Sequence, residues 1–168
     1  RTDIDTQAPW IGLIIGRSDL TKSQYLYIDV FIRNIEEKGF IVLPVFTSQK
    51  PGHHEEQVIE RFFISCDSLP RVSALLNLGC WYNTRPEQER VVLEKLGVPV
   101  INGIILSTNQ KDWEKSLVGI DIYNRSNLVA IPELAGYIEP SVAVVFDDFD
   151  HNIRIKNMIG YHMETLLG

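Results

Sequence analysis

The sequence predicts an α/β domain, a flavodoxin-like three-layer arrangement with a parallel sheet of four to five strands in the order 2-1-3-4(-5). Three observations carry this expectation. Short apolar runs alternate with helical stretches, the rhythm of repeated βαβ units. The runs, such as Ile11 to Ile15, are apolar at consecutive positions, as strands buried on both faces should be. Helical stretches end at glycine, at Gly39 and again at Gly97, where a residue free to take positive φ suits the position past a helix end.

Taken in order, residues 1–8 are a polar lead-in and 10–15 the first strand. Residues 23–38 are helical, because Ile28, Phe31, Ile32 and Ile35 recur at the spacing of one buried face. Residues 40–45 form the second strand, and Pro51-Gly52 marks a loop before a helix over 55–63. A third strand covers 72–78. Pro86 opens a helix to Leu96, and 98–101 is the fourth strand, closed by Asn102-Gly103. Beyond Ile105 the pattern loosens into a helical turn over 112–116, a helix over 121–130 entered from Asp121 and a turn at 132–136. Residues 138–146 read as a further strand, which Pro140 weakens or places at a sheet edge. A last helix covers 153–167.

At 168 residues the chain is long enough to bury one core without staples, so 1–168 is expected to be a single domain. Sixteen basic against twenty-two acidic side chains give a net charge of −6, with no basic stretch, which argues against a nucleic-acid partner. Cys66 and Cys80 make no disulfide framework, which points to a cytoplasmic setting. No apolar run reaches the length of a membrane span. The chain opens on Arg1 and stops just after a helical pattern, so it is expected to be a piece of a longer multidomain chain.

In open parallel sheets ligands bind at the carboxyl ends of the strands. Arg17, Ser18 and Asp19 follow the first strand there. The guanidinium could hold a carboxylate through paired hydrogen bonds, or Ser18 and Asp19 could simply cap the next helix. Trp81 and Tyr82, after the third strand, could line a flat aromatic ligand or merely pack. Asn102 and Ser107, after the fourth, complete the expected pocket, with Glu133 either binding or bracing its turn. Cys80 stands where some α/β enzymes place a nucleophile, but no histidine lies in a recognisable partner motif. His53 and His54 with Glu55 and Glu56 read as a solvated loop and helix start, because adjacent side chains seldom converge on one metal. Asp147, Asp148 and Asp150 read as a polar turn rather than a cation loop. No nucleotide-binding glycine motif occurs.

Two separated stretches resemble the large subunits of the ATP-dependent tetrapyrrole metal chelatases, the family of CobN and of the magnesium-chelatase H subunit. In the first, the loop Arg17-Ser18-Asp19-Leu20 and the strand ending Pro44-Val45-Phe46 match the family's Arg-Ser-His-Leu and Pro-Val-Phe. In the second, Gly97-Val98-Pro99-Val100, Trp113 to Ser116 and Ile131 to Gly136 match in order and spacing. Asp19 replaces a frequent His, and Ala135 a frequent Asp. The resemblance implies a domain that helps form the macrocycle cleft or frames the catalytic domains. It implies a tetrapyrrole or corrinoid ligand, cobalt or magnesium as substrate metal, ATP on partner AAA-type subunits, and no cofactor in this piece. The piece alone is expected to be inactive. A free-standing enzyme using Cys80, or a purely structural domain, are the alternatives.

Overall fold

The computed structural model describes residues 8–16, 26–47, 55–79 and 86–146. The helix expected over 153–167 and the acidic turn at 147–150 lie outside the described residues, as do His53 and His54. Five strands form one sheet: β1 (Trp10–Gly16), β2 (Ile41–Thr47), β3 (Ala74–Asn77), β4 (Val100–Asn109) and β5 (Ile138–Phe146). Their order is β2-β1-β3-β4-β5 and every neighbouring pair is parallel. The chain therefore steps to one side of β1 and then to the other, which puts the topological switch point between β1 and β3, as expected.

Three longer helices, α1 (Leu26–Glu37), α2 (Glu55–Phe63) and α3 (Pro86–Leu96), cover the sheet. Alternation along β1 distributes them. Ile11, Leu13 and Ile15 pack with Tyr27, Phe31 and Ile35 of α1. Ile14 faces the other way, into a cluster with Ile59 and Phe63 of α2 and Leu93 and Leu96 of α3. A strand clothed on both faces has no polar side to keep, which is why β1 is apolar at consecutive positions. Gly12 faces α2, and a Cβ there would lie 2.6 Å from Leu75 Cδ1 and 2.7 Å from Phe63 Cε1. The missing side chain is the space that Phe63 fills, and burying a ring of that size contributes about 1.5–3 kcal/mol. Gly39 and Gly97 take φ of 87° and 67° just beyond α1 and α3, the left-handed stop expected of them.

Pro44 is accommodated because β2 is an edge, and Pro140 because β5 is the other edge. The β4–β5 register shifts between Ile101↔Ile138 and Gly103↔Ser141, with Glu139 at φ 49°, so Pro140 sits at a bulge.

Two strands differ most from expectation. The third strand is shorter than 72–78, although Ser73 N–H donates to Trp10 O (2.7 Å) and Leu78 N–H to Ile14 O (2.9 Å) at its ends. The fourth does not stop at Ile101 but runs on to Asn109, because Asn102-Gly103, a turn signal in isolation, is locked into the sheet by its neighbours. A Cβ on Gly103 would lie 2.4 Å from Leu78 Cδ2, so glycine here admits a leucine rather than turning the chain.

After β4 come α4 (Gln110–Lys115), α5 (Ile122–Arg125), a π-helical segment (Ser126–Ala130) and α6 (Ile131–Ala135). The residues joining the last three are all right-handed helical, so residues 122–135 form one helix with a π widening inside it. The turn expected at 132–136 is instead the end of this helix, closed by Gly136 at φ 103°. Pro132 does not break it because it falls at the start of α6, just past the widening.

Candidate functional site

The carboxyl edge of the sheet at the β1/β3 switch point is where the expected pocket residues belong. Gly16 ends β1, paired with Thr47 of β2, and Gly79 follows β3. The carboxyl ends of these two strands share an edge. Arg17, Ser18 and Asp19 after the first, and Cys80, Trp81 and Tyr82 after the second, lie outside the described residues.

The third member of the expected pocket behaves differently. Asn102 pairs in register with Asn77 inside the sheet, and β4 continues seven residues past it, from Gly103 to Asn109. Asn102 is 1% exposed, and its amide Nδ2 donates to the carbonyl of Leu128 at 2.6 Å. Its Oδ1 is buried with no hydrogen-bond partner among the described residues. Asn102 is thus a wall residue beneath the 122–135 helix, not a loop residue on the rim. Ser107 lies on the part of β4 that projects past β3, and its side chain is outside the described residues. Glu133 is exposed on α6, which feeds the amino-terminal end of β5, and so stands apart from the carboxyl edge.

Below that edge lies a buried polar chain that pattern reading passed over. Tyr137, just ahead of β5, donates its hydroxyl hydrogen to Glu89 Oε1 on α3. The same hydroxyl oxygen accepts from Asn77 Nδ2 at 2.9 Å. Asn77 Oδ1 in turn accepts from Gly79 N–H at 2.7 Å. Asn77, Glu89 and Tyr137 are all buried. The chain links the residue that leaves β3 to the first turns of α3, so both ends of the intervening segment are tied to the core beside β5. A carboxylate in the interior persists only when hydrogen-bonded, and this one is. The signals were present in the sequence: Glu89 falls on the stripe of Leu93 and Leu96, and Asn77 closes an otherwise apolar strand.

The α4–α5 region carries further polar detail. Asp121 caps α5, accepting from Asn124 N–H (3.0 Å), Asn124 Nδ2 and Tyr123 N–H (3.1 Å). These bonds, the Asn124 backbone first, hold its carboxyl below the usual carboxylate range. No cluster of three or more metal-ligating side chains occurs among the described residues, and no helix among them is long and apolar enough to cross a membrane.

A family model described as CobN/Magnesium Chelatase matches residues 1–167. The chain is 30% identical over 144 residues to an uncharacterized protein of Methanocaldococcus jannaschii, covering 80% of this chain and 12% of that one. It is 27% identical over 146 residues to the chloroplastic magnesium-chelatase subunit ChlH of Oryza sativa subsp. indica, covering 82% and 10%. It is 25% identical over 134 residues to the aerobic cobaltochelatase subunit CobN of Sinorhizobium sp, covering 79% and 10%. The catalytic subunit of cobaltochelatase from Mycobacterium tuberculosis shares the fold, with a TM-score of 0.67 at 18% identity over 94% of this chain and 14% of that chain. The chain thus spans about a tenth of the length of the curated relatives it matches. The loop and strand motifs point the same way as a family model spanning nearly every residue: this chain belongs to the CobN/Magnesium Chelatase family.

Proposed function

We infer that this chain is a domain of the large, tetrapyrrole-binding subunit of an ATP-dependent cobalt or magnesium chelatase, and that its carboxyl edge forms part of the macrocycle cleft. The observation that carries the reading is the family match over residues 1–167, joined to a topological switch point at the carboxyl ends of β1 and β3. On this reading Arg17 pairs with a macrocycle carboxylate, as a guanidinium fork suits. Ser18 and Asp19 offer further polar contacts, and Trp81 and Tyr82 lie against the ring face. Ser107 adds to the rim and Asn102 supports it from below, while Glu133 acts elsewhere, bracing α6. Cobalt or magnesium is substrate rather than resident cofactor. ATP is handled by partner AAA-type subunits that the full-length chain recruits, and the 168 residues alone insert no metal. A cytoplasmic setting goes with the same reading, and the free thiol of Cys66 is compatible with it.

The test is a titration of a corrinoid and of a porphyrin into the full-length polypeptide, followed by their absorbance. Arg17→Ala should weaken binding by about tenfold or more, the loss of a charge-assisted pair worth about 1.5–3 kcal/mol, and Arg17→Lys should recover part of it. Binding unchanged in both Arg17→Ala and Trp81→Ala would remove this edge from the cleft.

A further inference from the structure

Residues 117–123 hold four large apolar side chains in solvent: Leu117 is fully exposed, Ile122 is 85% exposed, and Val118 and Tyr123 are each 65% exposed. Single exposed apolar residues are ordinary, but such a run is not. Nor is the segment loosely held. Arg125 Nη2 donates to the carbonyls of Val118 (3.0 Å) and Ile120 (3.1 Å), and Ser116 Oγ donates to Gly119 O (3.4 Å). Asp121 fixes the first turn of α5 by its cap. The backbone is thus bonded into a form that keeps these side chains outward. Directly beside them opens a cavity of about 240 Å³ with a mixed lining, apolar at Ile105, Trp113 and Leu128 and polar at Asp112, Asp121 and Asn124.

We propose that the 117–123 surface is an interdomain seam, covered by a neighbouring domain of the same polypeptide that lays an apolar face over Leu117, Val118, Ile122 and Tyr123. Two arguments select that occupant. The curated relatives are about ten times longer than the stretch matched here, so most of such a chain lies outside these residues. A patch of this size is also small against the roughly 1,600 Å² that a stable encounter between separate molecules buries. A tethered domain needs far less surface, because the shared chain raises its effective concentration. The seam has a geometric consequence. The segment follows α4, which leaves β4 at its carboxyl end, so a domain seated there stands at the same edge as Gly16 and Gly79 and walls one side of it.

Hydroxyl-radical footprinting of the full-length polypeptide tests this without any ligand, so its failure is separate from failure of the macrocycle reading. Leu69 and Val91, 64% and 61% exposed, serve as internal references. Leu117 and Ile122 should be modified several-fold more slowly than the references, and equally so at every protein concentration. Modification at the rate of the references overturns the proposal. Protection that disappears on dilution overturns it too, because a second copy would then be the cover.

Discussion

The side-chain amide of Asn102 donates to the carbonyl of Leu128, inside the π-helical turn that precedes Pro132. In a regular α-helix that carbonyl would receive the N–H of residue 132, which proline lacks, whereas in the π register its donor lies one residue further on. Asn102 adds a bond to this widened turn from the sheet below. Asn102→Ala should therefore destabilise the domain by about 1–3 kcal/mol, the cost of losing a buried hydrogen bond. In a Pro132→Ala background the same substitution should cost less, since position 132 then carries an N–H that this carbonyl can accept. Urea denaturation of the four proteins in a double-mutant cycle reads the coupling, and a cycle with no coupling would show that Pro132 and Asn102 act independently.

The chain from Glu89 through Tyr137 to Asn77 makes a graded prediction. Tyr137→Phe removes the donor to Glu89 and the acceptor for Asn77 at once, so it should cost about 1–3 kcal/mol or more. Glu89→Gln keeps an oxygen to accept from Tyr137 and should cost less. If the two substitutions shift the denaturation midpoint equally, an amide oxygen cannot stand in for the carboxylate and the expected grading fails.

Gly12 and Gly39 are both glycines, but for different reasons. Gly12→Ala forces a methyl against Leu75 and Phe63 and should cost about 1–3 kcal/mol as overpacking. Adding Phe63→Leu should recover part of this by making room. Gly39→Ala meets no atom within 4 Å, so its cost is the backbone strain at φ 87°, about 1–2 kcal/mol. Phe63→Leu should leave that cost untouched, a contrast that thermal melts of the four variants can read.

The Asp121 cap has a pH signature. Its folded pKa lies below the ordinary 3.8, so the stabilisation it provides is complete above that value and is lost as pH falls through the lower folded one. The advantage of the wild type over Asp121→Ala should shrink on acidification below about pH 4. Asp121→Asn caps without titrating and should keep its advantage over Asp121→Ala across the same range. Melting temperatures of the three proteins against pH provide the measurement, and parallel curves for all three would show that titration of the Asp121 carboxyl is not felt by the fold.

Much of this protein was legible in its residues because local rules and the fold agree. Apolar runs on both faces required a covered parallel sheet. Pro86 and Leu96 bound α3, and Glu55 and Phe63 bound α2, as the sequence pattern indicates. Pro140 fell on an edge strand at a bulge. Reading failed where a local signal was overruled from a distance. Asn102-Gly103 looks like a turn until Leu78 and the Leu128 carbonyl are set against it. Pro132 looks like the end of a helix until the π widening places it at the start of the next helical segment.

The sequence by itself determined the layers, the strand order and the family, because these follow from periodicity and from motifs that are contiguous in the chain. Only the tertiary structure decided that Asn102 is a buried brace rather than a rim residue, and that Glu89, Tyr137 and Asn77 form one hydrogen-bonded chain. The partners in those contacts lie between 26 and 60 positions apart. A hydrogen bond across such a distance leaves no periodic trace, since it is set by which strands and helices the folded sheet brings together.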